Sequence, residues 1–94
     1  MATFTDLKFE ERKGLPGIRA FHLFENGYGA SVVKGYGTYG GDEGLYELAV
    51  VGPNGSLAYD TPVTDDVLGY LSETDVTEAL AKIEALPVRA STSA

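Results

Sequence analysis

The chain contains no cysteine and no tryptophan, and only one histidine and one methionine. Without thiols it has no disulfide, no thiolate metal site and no cysteine nucleophile, which fits a cytoplasmic protein. Basic residues are scarce: 7 Lys and Arg stand against 14 Asp and Glu, a net charge of −7. Phosphate backbones and anionic membranes are held mainly by Lys and Arg, so direct nucleic-acid and membrane binding are disfavoured. A basic protein partner suits the balance better. No apolar run approaches the roughly 20 residues of a transmembrane helix. Residues 1–6 lack the basic and apolar regions of a signal peptide.

What is present is a pattern of short alternating segments and turns. At 94 residues, 44% of them hydrophobic, the chain has room for one domain. Residues 5–11 alternate with Leu7 and Phe9 on one face, which predicts a short edge strand. Gly14, Pro16 and Gly17 mark a turn, and residues 18–25 a second strand with Phe21 and Leu23 opposing Ile18, Ala20, His22 and Phe24. Asn26-Gly27 predicts a two-residue type I′ hairpin into a third strand over 28–34. Residues 35–44 hold glycines and tyrosines without periodicity and read as a mobile loop. Further strands are expected at 45–51 and 56–60 around the turn Gly52-Pro53-Asn54-Gly55.

The period then changes. Thr64 can cap a short helix with Asp65 and Asp66 in its first turn and Val67, Leu68 and Leu71 as its apolar residues. Ser72 or Thr74 caps a second helix, whose stripe is Val76, Ala79, Leu80, Ile83 and Leu86, ended by Pro87. The expected fold is therefore α+β: an antiparallel meander of four or five strands with two C-terminal helices packed on one face. It occupies residues 1–87, and 88–94 form a flexible polar tail. The other sheet face would keep aromatics and small residues, a surface suited to an interface.

Three segments, residues 24–33, 39–50 and 59–71, together resemble a group of small, functionally uncharacterised proteins encoded by tailed bacteriophages. The resemblance spans about residues 18–86 and carries no activity. It implies a cytoplasmic accessory protein made during infection and acting on a host protein.

The residues that bear chemistry argue for binding rather than catalysis. The Gly-rich loop has no Lys, and Asp42 and Glu43 would repel a phosphate. Asp42, Glu43 and Glu47, or Asp60, Asp65 and Asp66, lack the spacing of a cation loop, and no His-x-x-His occurs. His22 stands alone, with no G-x-S-x-G elbow. No catalytic residue, cofactor or metal ligand is therefore expected. The tyrosines are the most informative set: Tyr28, Tyr36, Tyr39, Tyr46, Tyr59 and Tyr70. Tyr28, Tyr46 and Tyr59 can pack on sheet and helix. Tyr36 and Tyr39, among glycines, have little to pack on and suit an interface. A base-stacking platform would need more basic residues than Lys34. The expected partner-binding residues are thus Tyr36, Tyr39, Asp42 and Glu43, in a non-enzymatic protein that binds a host protein or forms a homodimer. An acidic decoy of a nucleic-acid-binding protein and a minor virion component are the alternatives.

Overall fold

The computed structural model describes residues 2–52 and 67–86. Strands β1 (Glu10–Glu11), β2 (Gly17–Leu23), β3 (Gly29–Gly35), β4 (Tyr46–Val51) and β5 (Val67–Leu71) form one antiparallel sheet in sequence order. A single helix, α1 (Glu73–Glu84), follows. The class is α+β with a five-stranded meander.

Alternation along the strands decides which side α1 covers. The registers Ala20↔Val32↔Leu48 and His22↔Ala30↔Val50 put these six side chains on one face, four of them Ala or Val. There Ala20, Ala30, Val32, Leu48 and Val50 form a core with Val76, Ala79, Leu80 and Ile83 of α1. Tyr28 and Tyr46 are buried in the same core, as packing residues. The opposite face carries Arg19, Phe21 and Leu23 of β2, and Glu47, Ala49 and Val51 of β4. Ala49 and Val51 are buried and Val33 and Val67 half-buried, so among the described residues the large apolar side chains exposed on that face are Phe21 and Leu23.

Both ends of α1 are capped. The Ser72 hydroxyl accepts from Asp75 N–H at 3.1 Å, and the Asp75 carboxylate accepts from Ser72 N–H at 3.0 Å. This reciprocal box identifies Ser72 rather than Thr74 as the cap. The C-terminal carbonyls are met from the sheet. Asn26, 7% exposed, donates from Nδ2 to the carbonyls of Ile83 at 2.8 Å and Leu86 at 3.0 Å. Its Oδ1 accepts from Tyr28 N–H at 3.0 Å.

The β2–β3 turn is built around that task. Gly27 N–H donates to the Phe24 carbonyl, and Phe24 N–H to the Tyr28 carbonyl, which encloses three loop residues instead of the two of a type I′ turn. Only Gly27, at φ 91°, is left-handed there, the geometry of a type I turn followed by a bulge. A third residue frees the Asn26 side chain to point at the helix end.

Two expectations are corrected. Val67–Leu71 is a strand, not a helix, so the described residues hold one helix instead of two. Its pairing with β4 shifts register between Tyr46 and Leu48, leaving Gly69 and Tyr70 opposite Glu47. This bulge puts Leu68 and Leu71, three apart, on one face, which imitates helical spacing. The putting of 5–11 into an edge strand is also only partly right: Phe4–Asp6 is a 3₁₀ turn and only Glu10–Glu11 pairs. The segment before β1 is held to α1 instead. Ala2 N–H donates to the Glu84 carboxylate and Phe4 N–H to the Thr77 hydroxyl, each at 2.9 Å. Leu7 is buried, and Phe4 and Phe9 pack around the Tyr46 ring, over which Lys34 Nζ sits at 4.8 Å. The expected strand at 56–60, the cap at Thr64 and the tail at 88–94 lie outside the described residues.

Asn26→Ala removes the amide that serves the buried Ile83 carbonyl and the part-buried Leu86 carbonyl, and is expected to cost about 2–3 kcal/mol. Urea denaturation checks this, and a loss below about 0.5 kcal/mol would show that the cap carries no stability.

Candidate functional site

The segment between β3 and β4 has a hydrogen-bonded course, where the sequence predicted a loop without internal order. Thr38 braces its start: the hydroxyl donates to the Gly35 carbonyl at 2.8 Å and accepts from Gly35 N–H at 3.0 Å. Gly41–Glu43 is a 3₁₀ turn, closed by Leu45 N–H donating to the Gly40 carbonyl at 2.9 Å.

Four outside hydrogen bonds hold the segment in place. Arg12 Nη1 donates to the Tyr36 carbonyl at 2.8 Å, and Tyr36 N–H to the Pro16 carbonyl at 3.1 Å. Tyr39 N–H donates to the Glu47 carboxylate at 2.9 Å. Tyr70 N–H donates to the Tyr39 carbonyl at 3.1 Å. Gly69 makes the last contact feasible, because a Cβ there would lie 2.5 Å from the Tyr39 Cβ.

The backbone is thus pinned while the rings stay out. Tyr36, Tyr39 and Tyr70 are 68%, 60% and 58% exposed. The structure joins Tyr39 to Tyr70 and leaves Tyr36 on the flank braced by Arg12 and Pro16. Asp42 and Glu43 are exposed on the 3₁₀ turn that follows. Tyr70 is the residue that sequence reasoning left out of the site. Its backbone has φ 58°, and it is the sole non-glycine residue with positive φ among the described residues. A tyrosine held left-handed costs about 1–2 kcal/mol, so the surroundings over-determine it. The sequence signal was an exposed-type residue beside Gly69, but its backbone angle follows from the bulge.

The remaining candidates do not assemble a reactive centre. His22 is half-buried, with its ring 4.8 Å from that of Phe24. Among the described residues no three His, Asp or Glu side chains converge as metal ligands, and Glu47 is engaged by Tyr39. Asp60, Asp65, Asp66 and Tyr59 lie outside the described residues. Among the described residues no helix is long and apolar enough to cross a membrane. Comparison with protein-family models, curated proteins and solved structures finds no significant match.

The strain at residue 70 is testable by itself. Tyr70→Gly is expected to keep stability within about 1 kcal/mol of wild type, while β-branched Tyr70→Val falls about 1–2 kcal/mol below Tyr70→Gly. Urea denaturation of both variants checks the order. Equal stabilities would mean that the backbone leaves the left-handed region when the ring is removed.

Proposed function

We propose that this protein is a non-enzymatic binding module that engages a protein partner through Tyr36, Tyr39 and Tyr70. Asp42 and Glu43, beside them, favour a partner surface carrying basic groups. One observation supports this reading above the others: three tyrosines stay exposed on a backbone tied at Arg12, Glu47 and Tyr70. A pre-ordered loop loses little entropy on binding, and tyrosine supplies wide contact area with a polar tip. The resemblance to phage accessory proteins belongs to the same proposal, with the partner a bacterial host protein and the site of action the cytoplasm.

The acidic-decoy reading is weaker. A decoy needs acids free to imitate a row of phosphates. Asp75 and Asp6 accept from N–H groups at helical starts, Glu47 holds Tyr39, Glu84 holds Ala2 and Glu10 sits near Arg19. Those carboxylates serve the fold.

The test is capture from bacterial lysate by wild type and by the Tyr36→Ala/Tyr39→Ala variant, followed by affinity measurement on the captured protein. The double variant is expected to bind at least about tenfold more weakly, with its melting temperature unchanged because both rings are exposed. Equal affinity for the two forms would remove the tyrosine loop as the binding site. Affinity that falls steeply between low and high salt and is unchanged by the tyrosine substitutions would favour the decoy.

A further inference from the structure

β1 has two residues and β2 has seven. Glu10 and Glu11 pair with Arg19 and Ile18, and among the described residues no strand lies beside 20–23 on that side. Two bonds show which backbone groups are left outward. Arg12 N–H donates to the Gly17 carbonyl, toward β1, and Phe24 N–H to the Tyr28 carbonyl, toward β3. Direction alternates along an antiparallel strand, so the odd-numbered residues of β2 aim their N–H and C=O groups to the β1 side. Phe21 and Leu23 therefore present main-chain donors and acceptors beyond the end of β1. Their side chains are 53% and 66% exposed.

We infer that this stretch pairs antiparallel with the same stretch of a second copy of the chain, about a two-fold axis at His22. In that register Phe21 stands opposite Leu23 of the second copy, and Leu23 opposite its Phe21. Both are hydrogen-bonded pairs, because all four residues aim their backbone groups across the seam. The two exposed apolar side chains of each copy cover those of the other. The two sheets become one.

Charge identifies the occupant as a second copy. Lys8 and Arg19 lie at one end of the free stretch and Glu25 at the other. Arg19 is 3.5 Å from Glu10, and Lys8 has no ion pair among the described residues, so that end carries a spare positive charge. Antiparallel pairing brings the Glu25 of each copy to the Lys8–Arg19 end of the other, twice over. A recess of about 440 Å³ lined by Lys8, Glu10, Arg19, Ala20 and Phe21 receives it. Parallel pairing would set like charges together. The contact uses none of the tyrosine loop and stands independently of the function proposed above.

Sedimentation equilibrium on the full chain tests this. Wild type is expected to sediment at twice the chain mass, with a concentration-dependent monomer fraction. Leu23→Lys, at an exposed site, is expected to fold normally by circular dichroism and to raise the dimer dissociation constant at least about tenfold. Glu25→Lys is expected to weaken the dimer too, and Lys8→Glu added to it to restore most of the loss. Wild type monomeric up to about millimolar concentration would overturn the inference, given how tightly stable interfaces hold. So would a dimer indifferent to Leu23→Lys, or a double variant no tighter than Glu25→Lys alone.

Discussion

One buried amide joins the two layers of this protein. A helix lying on a sheet is held mostly by apolar burial, which has no preferred direction. Asn26 adds direction. Its amide N–H groups meet the carbonyls at the end of α1, and its oxygen meets the Tyr28 N–H of its own turn. That fixes where the helix stops relative to β2 and β3. Slippage of α1 by one residue along its axis would leave the amide and the helix end both unpaired in a buried place. The rest of the packing, including the stripe from Val76 to Ile83, is positioned by this contact and by the Ser72 cap at the other end.

How far the fold can be read from the residues depends on whether the pattern is local. The α1 stripe and its cap are local, and they appear where the spacing puts them. The alternation of β2, β3 and β4 is local too, and strand bounds differ by one or two residues. The misreading at Val67–Leu71 has one cause. A bulge turns the strand period of two into a spacing of three, and Leu68 and Leu71 then match either element. The availability of the β4 edge decides between them, and that edge is a tertiary fact. Leu7 and Phe9 show the same limit: their alternation requires one buried face without specifying whether a strand or a helix covers it. Asn26-Gly27 is a turn signal in any context. Its second role depends on a helix end 57 residues away.

The tyrosine surface divides along similar lines. Tyr36 and Tyr39 are exposed, as glycine neighbours imply, while Tyr28 and Tyr46 are core. The order within the loop comes from Thr38, Arg12 and Glu47, none of which marks itself in the sequence as a brace. Tyr70 joins the surface because the bulge turns its backbone left-handed. The loop and the bulge are therefore one construction, with Gly69 as the gap that lets them meet.

The clasp made by the N-terminal segment bears on how the chain assembles. Every strand pair among the described residues joins neighbours in sequence, and the hairpins from β1 to β4 close short loops and can form early. The bonds from Ala2 to Glu84 and from Phe4 to Thr77 span 82 and 73 positions and close nearly the whole chain into a ring. Their closure entropy is repaid only after α1 has docked on a finished sheet. Among the described residues the clasp thus closes the longest loop, and it anchors the segment that lays Phe4 and Phe9 on the Tyr46 ring.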